Sequence, residues 1–283
     1  MSLEIPNPGA AFLPFYLGKE DGIYKKYGIN LTIDPNINPP LAVQAILGGS
    51  LDFMAAIGTA GSAGIQGRPM RVYDVVADGI DFVMVGAKGV TSMSQLRGGT
   101  VVGESAVSQT NLMETLMLQH SGVPVSSVQF INITGGDAAR SALVEAGKAR
   151  AVSVEITGAL PLERAGLHVI GNTKFVLQPF TGLGTSKSFA SSHKQLMKNM
   201  IAATTAATKI VKTNEAETVK ALEAAPISLS APDAKTVFKY LQGEWITSPK
   251  PPAKAIDNQI SAWVSQYKLS SRPSVGEAFD FSY

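Results

Sequence analysis

Cysteine is absent from the 283 residues. That absence closes off disulfides, thiolate metal sites, iron–sulfur clusters and a cysteine nucleophile. It fits any compartment and is comfortable in an oxidising one. Histidine is scarce as well. His120, His168 and His193 stand far apart, and no metal-ligand spacing links them. Neither a metal nor a cofactor is therefore expected. An excess of one charge is also lacking, since 24 basic residues against 22 acidic leave a net of +2. Nucleic acid is not an expected partner, because phosphate binding wants a basic stripe. No apolar run reaches the ~18–20 residues that a membrane-spanning helix needs. The G-x-S-x-G elbow and the phosphate-cradling P-loop are missing too. The glycine pairs in LRGGT and TGGD read as turns.

What remains is an ordinary globular composition, 45% hydrophobic and 16% charged. The length allows one large domain or two modest ones, each able to bury a core. Met1-Ser2-Leu3 runs straight into a first strand, so an export leader is expected to have been removed ahead of it.

The first half alternates short apolar strands with helical stretches. Strands are expected at residues 3–5, 31–33, 53–57, 72–76 and 82–85, with helical spacing at 12–27, 39–47 and 59–66. A second series follows Gly86. Its strands are expected at 100–103, 128–131, 151–154, 168–170 and 174–177, and its helices at 93–96, 108–120, 138–146 and 160–165. Such alternation implies mainly parallel, helix-covered sheets. After Lys187 only helices are expected, at 193–212, 215–224, 233–242 and 254–267. A helical tail must dock on something, and the first sheet is the nearest partner. The expectation is a discontinuous first lobe, 1–86 plus 182–283, and a second lobe, 87–181. Two crossings make a hinge, and a cleft between lobes is a usual place for a small ligand.

The segment PFYLGKEDGIYKKYGINLTI combines an apolar-aromatic stretch with a run of Lys19-Glu20, Gly22-Ile23-Tyr24, Lys26 and Gly28-Ile29. It resembles the N-terminal signature of the nitrate/sulfonate/taurine/thiamine-precursor family of periplasmic solute-binding proteins. The segments AVQAILGGSLDFMAAIGTA, QGRPMRVYDVV, GVTSMSQLRGGTVVGE, GGDAARSALVEAGKARAVSVE and GEAFDFSY are similar to later family pieces, in order. The resemblance covers nearly the whole chain. It implies an α/β, type II periplasmic-binding-protein fold: two α/β lobes, two hinge crossings and a helical C-terminal segment packed on the first lobe. It implies a monomeric, periplasmic binding component of an ABC importer, with a cognate permease in the inner membrane. The solute would be a small anion or heteroaromatic of the sulfonate, carboxylate, nitrate or pyrimidine class. The family also includes a fungal enzyme that makes the thiamine pyrimidine and relies on a cysteine-rich motif. A chain without cysteine is expected not to be that enzyme. The alternative is an enzyme on the same fold, such as a thiamine-pyrimidine-synthase-like enzyme or a lyase, or a ligand-sensing domain.

In open α/β sheets, ligands lie beyond the carboxyl ends of strands, where helix starts offer free N–H groups. Four loops fit. Asn7 to Phe12 holds Gly9, for close backbone approach, and Phe12, which can stack on a ring or pack in the core. Asn36 to Pro39 offers Asn38, or is a plain helix-entry turn. At Gly58-Thr59, the threonine is expected to cap a helix, and the resemblance implies that it faces the ligand. From Glu104 to Thr110, the residues Ser105, Ser108, Gln109 and Thr110 are the expected head-group site, with Ser108 as the cap. Asp137 is expected to cap the helix after the second glycine pair. Glu155, just past a strand, is a further candidate that would hold an amino group or restrain the hinge. Arg140 is placed on a helix, away from the four loops.

Overall fold

The computed structural model describes the chain apart from residues 36, 105–107 and 134–135. It divides into two compact units. One holds Met1–Ile80 and Leu177–Tyr283, the other Asp81–Val176.

The first unit opens with β1 (Ser2–Ile5), α1 (Leu13–Glu20), α2 (Ile23–Lys26) and β2 (Thr32–Pro35). It continues with α3 (Pro39–Leu47), β3 (Phe53–Met54), α4 (Ile57–Ile65) and β4 (Met70–Gly79). In the second unit come β5 (Phe82–Gly86), β6 (Thr100–Gly103), α5 (Gln109–His120), β7 (Gln129–Asn132), α6 (Gly136–Glu145), β8 (Ala151–Glu155), α7 (Ile156–Arg164) and β9 (His168–Asn172). The chain then returns to the first unit through β10 (Leu177–Ser186) and the helices α8 (Lys187–Ser192), α9 (Lys194–Thr213), α10 (Glu215–Glu223), α11 (Ala231–Leu241), α12 (Ala253–Gln266) and α13 (Val275–Ala278).

Each unit has a five-stranded sheet, ordered β2-β1-β3-β10-β4 in the first and β7-β6-β8-β5-β9 in the second. The first three strands of each are parallel. The fourth is antiparallel to both its neighbours. The sheets are thus mixed, because the first strand after each crossing, β5 or β10, runs against the rest. Parallel strands buried on both faces read as continuous apolar runs, and Val101, Val102, Val152 and Val154 are fully buried.

Three sequence expectations shift. Phe82–Gly86, assigned to the first lobe, pairs with β8 and β9 in the second sheet. The crossings therefore fall at 80/81 and 176/177 rather than at 86/87 and 181/182. The strand expected at 53–57 stops at Met54, and α4 starts at Ile57. The strand expected at 174–177 is instead the ten-residue β10, Leu177–Ser186. Its Pro179, Gly182 and Gly184 hide the strand from pattern reading, yet close approach requires the glycines. A β-carbon on Gly182 would stand 2.0 Å from the carbonyl oxygen of Asp74, and one on Gly184 would stand 2.5 Å from Cβ of Ala60.

The C-terminal helices do pack on the first unit's sheet and helices. In α9, Met197, Met200, Ile201, Thr204, Ala207, Thr208 and Val211 form one buried stripe at helical spacing. That stripe receives α1 and α2: the Tyr24 hydroxyl lies 3.1 Å from that of Thr204. On α12, Trp263 joins a core cluster with Val72, Ile256, Ile260 and Phe279, and the Asn258 amide donates to the Leu177 carbonyl at 3.0 Å. Among the described residues, no helix is long and apolar enough to cross a membrane.

Candidate functional site

The carboxyl ends of the parallel strands in each unit lead directly into helix starts. These ends are where a ligand of an open α/β sheet lies.

In the first unit, the Asn7 side chain closes a turn by accepting from the Gly9 N–H at 2.8 Å. Gly9 has ordinary extended backbone, φ −72°, and takes no left-handed conformation. Phe12 is 3% exposed, and its ring centroid lies 6.3 Å from that of Phe180. The packing alternative therefore describes this side chain, and Phe15 is likewise in the core. Asn38 precedes α3 and is exposed. Its carbonyl accepts from Leu41 and Ala42, but its side chain caps nothing, because Pro39 and Pro40 occupy the first turn. Gly58 and Thr59 lie inside α4, whose preceding residue is Ala56. Thr59 is therefore not the cap, since the helix begins two residues earlier than its sequence suggests. Both residues are partly exposed in the first turn.

The first unit also holds a carboxyl that pattern reading missed. Glu4, in the middle of β1, is fully buried. Burial pushes its pKa up to about 8, and the amides of Ala56 and Ala55 beside it offset only part of that. Burial, followed by the nearby Glu4, pushes the Tyr16 phenol up to about 12. Neither the Glu4 oxygens nor the Tyr16 hydroxyl has a hydrogen-bond partner. In an alternating strand, a buried Glu reads as the solvent face, which is why it escaped.

The second unit is more crowded. Ser108 caps α5 as expected, accepting from the Asn111 N–H at 3.1 Å. Gln109 is partly exposed. Thr110 is buried and donates from its hydroxyl to Glu104 Oε2 at 3.1 Å. Ser105 lies outside the described residues, as do Asn36 and Gly135. Asp137 is not a cap, because α6 already includes Gly136. Its carboxylate instead forms an ion pair with Arg140 and accepts the Glu155 backbone N–H at 3.2 Å. Glu155 ends β8, opposite Phe82 of β5, and is 7% exposed.

Two side chains here were not foreseen. Glu114, one turn beyond Thr110 on α5, is fully buried. Its Oε2 lies 2.7 Å from where a β-carbon on Gly103 would stand, at the end of β6. Burial pushes its pKa up to about 8; Arg140 and Asn111 pull it back in part, and Glu104 pushes it up. Arg140, three residues along α6 from Asp137, is 3% exposed and turns inward. The helical spacing 137/140 was visible in the sequence, but its direction was not. Burial likewise raises Asp137, opposed by Arg140 and the Glu155 N–H. Among the described residues, no group of three His, Asp or Glu side chains is arranged to hold a metal ion.

Residues 10–218 match the model of the family described as NMT1/THI5 like. No curated protein sequence matches the chain. Among solved structures, the periplasmic aliphatic sulphonate binding protein SsuA from Escherichia coli is similar, with a TM-score of 0.77 and 15% identity over 98% of this chain and 89% of that one. The periplasmic nitrate-binding protein NrtA from Synechocystis PCC 6803 gives 0.72 and 13%, over 98% and 85%. The desulfurization enzyme DSZB gives 0.71 and 11%, over 98% and 95%. At such identities the likeness shows a shared fold, the periplasmic-binding-protein fold that the sequence implied.

Proposed function

We propose, since the chain belongs to the NMT1/THI5-like family, that it is the solute-binding component of an ABC importer. It captures a small organic solute outside the inner membrane and delivers it to a cognate permease. The observation that carries this reading is the repeated arrangement of three parallel strands whose carboxyl ends open onto helix starts, α1, α3 and α4 in one unit and α5, α6 and α7 in the other. The candidate ligand contacts are Asn7, Gly9, Asn38, Gly58 and Thr59 in the first unit and Ser108, Gln109, Thr110 and Glu155 in the second.

The surroundings weight the solute classes unequally. Glu104, Glu114, Asp137 and Glu155 lie at or beside the second unit's strand ends, and Arg140 is already paired with Asp137. A bare nitrate or sulfonate placed there would meet carboxyl oxygens and a guanidinium that is already paired. A neutral or basic heteroaromatic is better accommodated.

The test is a thermal-shift screen with sulfonates, carboxylates, nitrate and aminoheterocycles, alongside mass spectrometry of any solute carried through purification. A ligand at 100 times its Kd stabilises the fold by about 2.7 kcal/mol and raises the melting temperature accordingly. If no class raises it and no solute is carried, the binding reading fails. If a bound solute is consumed during incubation, the chain is an enzyme on this fold instead.

A further inference from the structure

The second unit's strand ends carry a charge pattern that the anion-binding expectation does not explain. Four carboxyl-bearing residues lie within one short stretch of the fold. Glu104 follows β6 and accepts from the Thr110 hydroxyl. Glu114 reaches up from α5 to the last residue of β6. Asp137 sits in the first turn of α6, with its Oδ2 2.9 Å from where a β-carbon on Gly158 of α7 would stand. Glu155 closes β8, and its N–H is held by Asp137. Asn132, ending β7, brings its side-chain amide oxygen to 3.4 Å from the same Gly103 position that Glu114 approaches. Among the described residues, the guanidinium of Arg140 stands against these acceptors, engaged with Asp137.

Acidic residues alone would not make a site. The second observation is that Glu114 is fully buried and neither of its oxygens accepts a hydrogen bond, although they lie against the end of β6. A buried carboxyl without a donor costs free energy that folding does not recover. The Nε of Arg140, equally buried, also lacks a partner. What Glu114 lacks is a donor, so the occupant it would take is one that brings N–H groups to it, and an acceptor atom on the same occupant would meet the Arg140 Nε. A metal ion does not suit, because no three of the described carboxylates are placed to ligate one. An organic nitrogen group, with directional N–H bonds spread over several acceptors, does.

We propose that the carboxyl ends of β6, β7 and β8 form a subsite for a protonated nitrogen group of the solute, of the ammonium or amidinium type, with Glu114 as its buried acceptor. This rests on the solute-binding reading above and names the head group that the site takes. Small glycines at positions 103 and 158 keep the approach open, because a side chain at either would meet Glu114 or Asp137.

The probes are benzamidine, 4-aminopyridine and putrescine as cations, set against nitrate, methanesulfonate and benzoate. Melting temperature and calorimetric affinity are read on the native chain and on E114Q and E104Q. The expected result is stabilisation by at least one cation and by none of the anions, with E114Q weakening that cation tenfold or more. E104Q, on a partly exposed side chain, serves if E114Q fails to fold, and should weaken it about threefold. Binding of the anions without the cations overturns this inference and leaves solute binding standing. So does a cation whose affinity neither variant changes. If neither set binds and the solute carried through purification lacks a basic nitrogen, the subsite is overturned; if no solute is carried at all, both readings fall together.

Discussion

The two sheets are built to one plan and furnished differently. In strand order, β2-β1-β3-β10-β4 corresponds to β7-β6-β8-β5-β9. In each, a parallel trio precedes one reversed strand, and that strand adjoins a chain crossing. The helices correspond too, α1 with α5, α3 with α6 and α4 with α7. The chemistry at equivalent positions differs. After β3 come Ala55 and Ala56, whereas β8 ends on Glu155. The first unit keeps its carboxyls inside the sheet, at Glu4 in β1 and Asp74 in β4, both buried. The second moves them to the strand ends. Topology therefore fixes where a site lies, and side chains at a handful of equivalent positions decide what it takes.

The sharpest way to break the comparison is at glycines that tolerate close approach for different reasons. Gly182 of β10 lies against rigid backbone, with 2.0 Å from a would-be β-carbon to the Asp74 carbonyl. Gly103 of β6 lies against a side-chain end, with 2.7 Å to Glu114 Oε2. Backbone must shift in the first case, whereas a carboxyl can swing in the second. G182A should cost about 3 kcal/mol or more, and G103A about 1 kcal/mol. Urea unfolding of both variants measures the gap; equal losses would show that both sites are equally stiff.

A smaller effect separates the units by pH. Burial pushes Glu4, Asp74 and Glu114 each up to about 8. A raised carboxyl keeps its proton in the fold at pH values where the unfolded chain has lost it. The folded state then binds more protons between about pH 4, the ordinary carboxylate range, and about pH 8. Stability contributed by these groups therefore falls as pH rises through that window and levels off above it. D74N removes one such group from the first unit and E114Q one from the second. Each variant should show a flatter decline between pH 5 and pH 8 in thermal unfolding than the native chain, and a slope unchanged from native would mean that the carboxyl is ionised in the fold.

Much of the fold was legible because periodic segments bounded by turn residues announce themselves. Pro39–Leu47, Met93–Leu96 and Thr100–Gly103 fall on the same residues in sequence and structure. The helical tail was legible through the Met197-to-Val211 stripe. β10 was not, because its glycines and proline serve contacts with β4 that no local pattern records. At the site, the loops were found by position, since helix starts carry turn residues. Glu114 and Arg140 were passed over because both lie on helices, where a charged residue reads as a solvated face. Only packing against β6 and Asp137 shows that they turn inward.

The finest distinction concerns two hydroxyls that look alike in sequence. Ser108 stands before α5, and its side chain accepts from the N–H of Asn111 at 3.1 Å. Thr59 stands three residues into α4, whose start has no side-chain cap. An N-cap oxygen satisfies one of the donors that a helix start leaves unpaired, and its removal costs about 1 kcal/mol. A hydroxyl inside the first turn has no such role, and Thr59 bonds through its backbone, its N–H donating to Ala56 at 3.1 Å and its carbonyl accepting from Ser62 at 3.1 Å. S108A should therefore lower stability by about 1 kcal/mol, and T59A by a few tenths at most, read as the shift in unfolding midpoint at unchanged slope. Equal shifts would mean that α4 draws on Thr59 after all. If T59A leaves stability intact yet weakens the bound solute, the first unit's strand ends share in capture with a hydroxyl that the fold itself does not need.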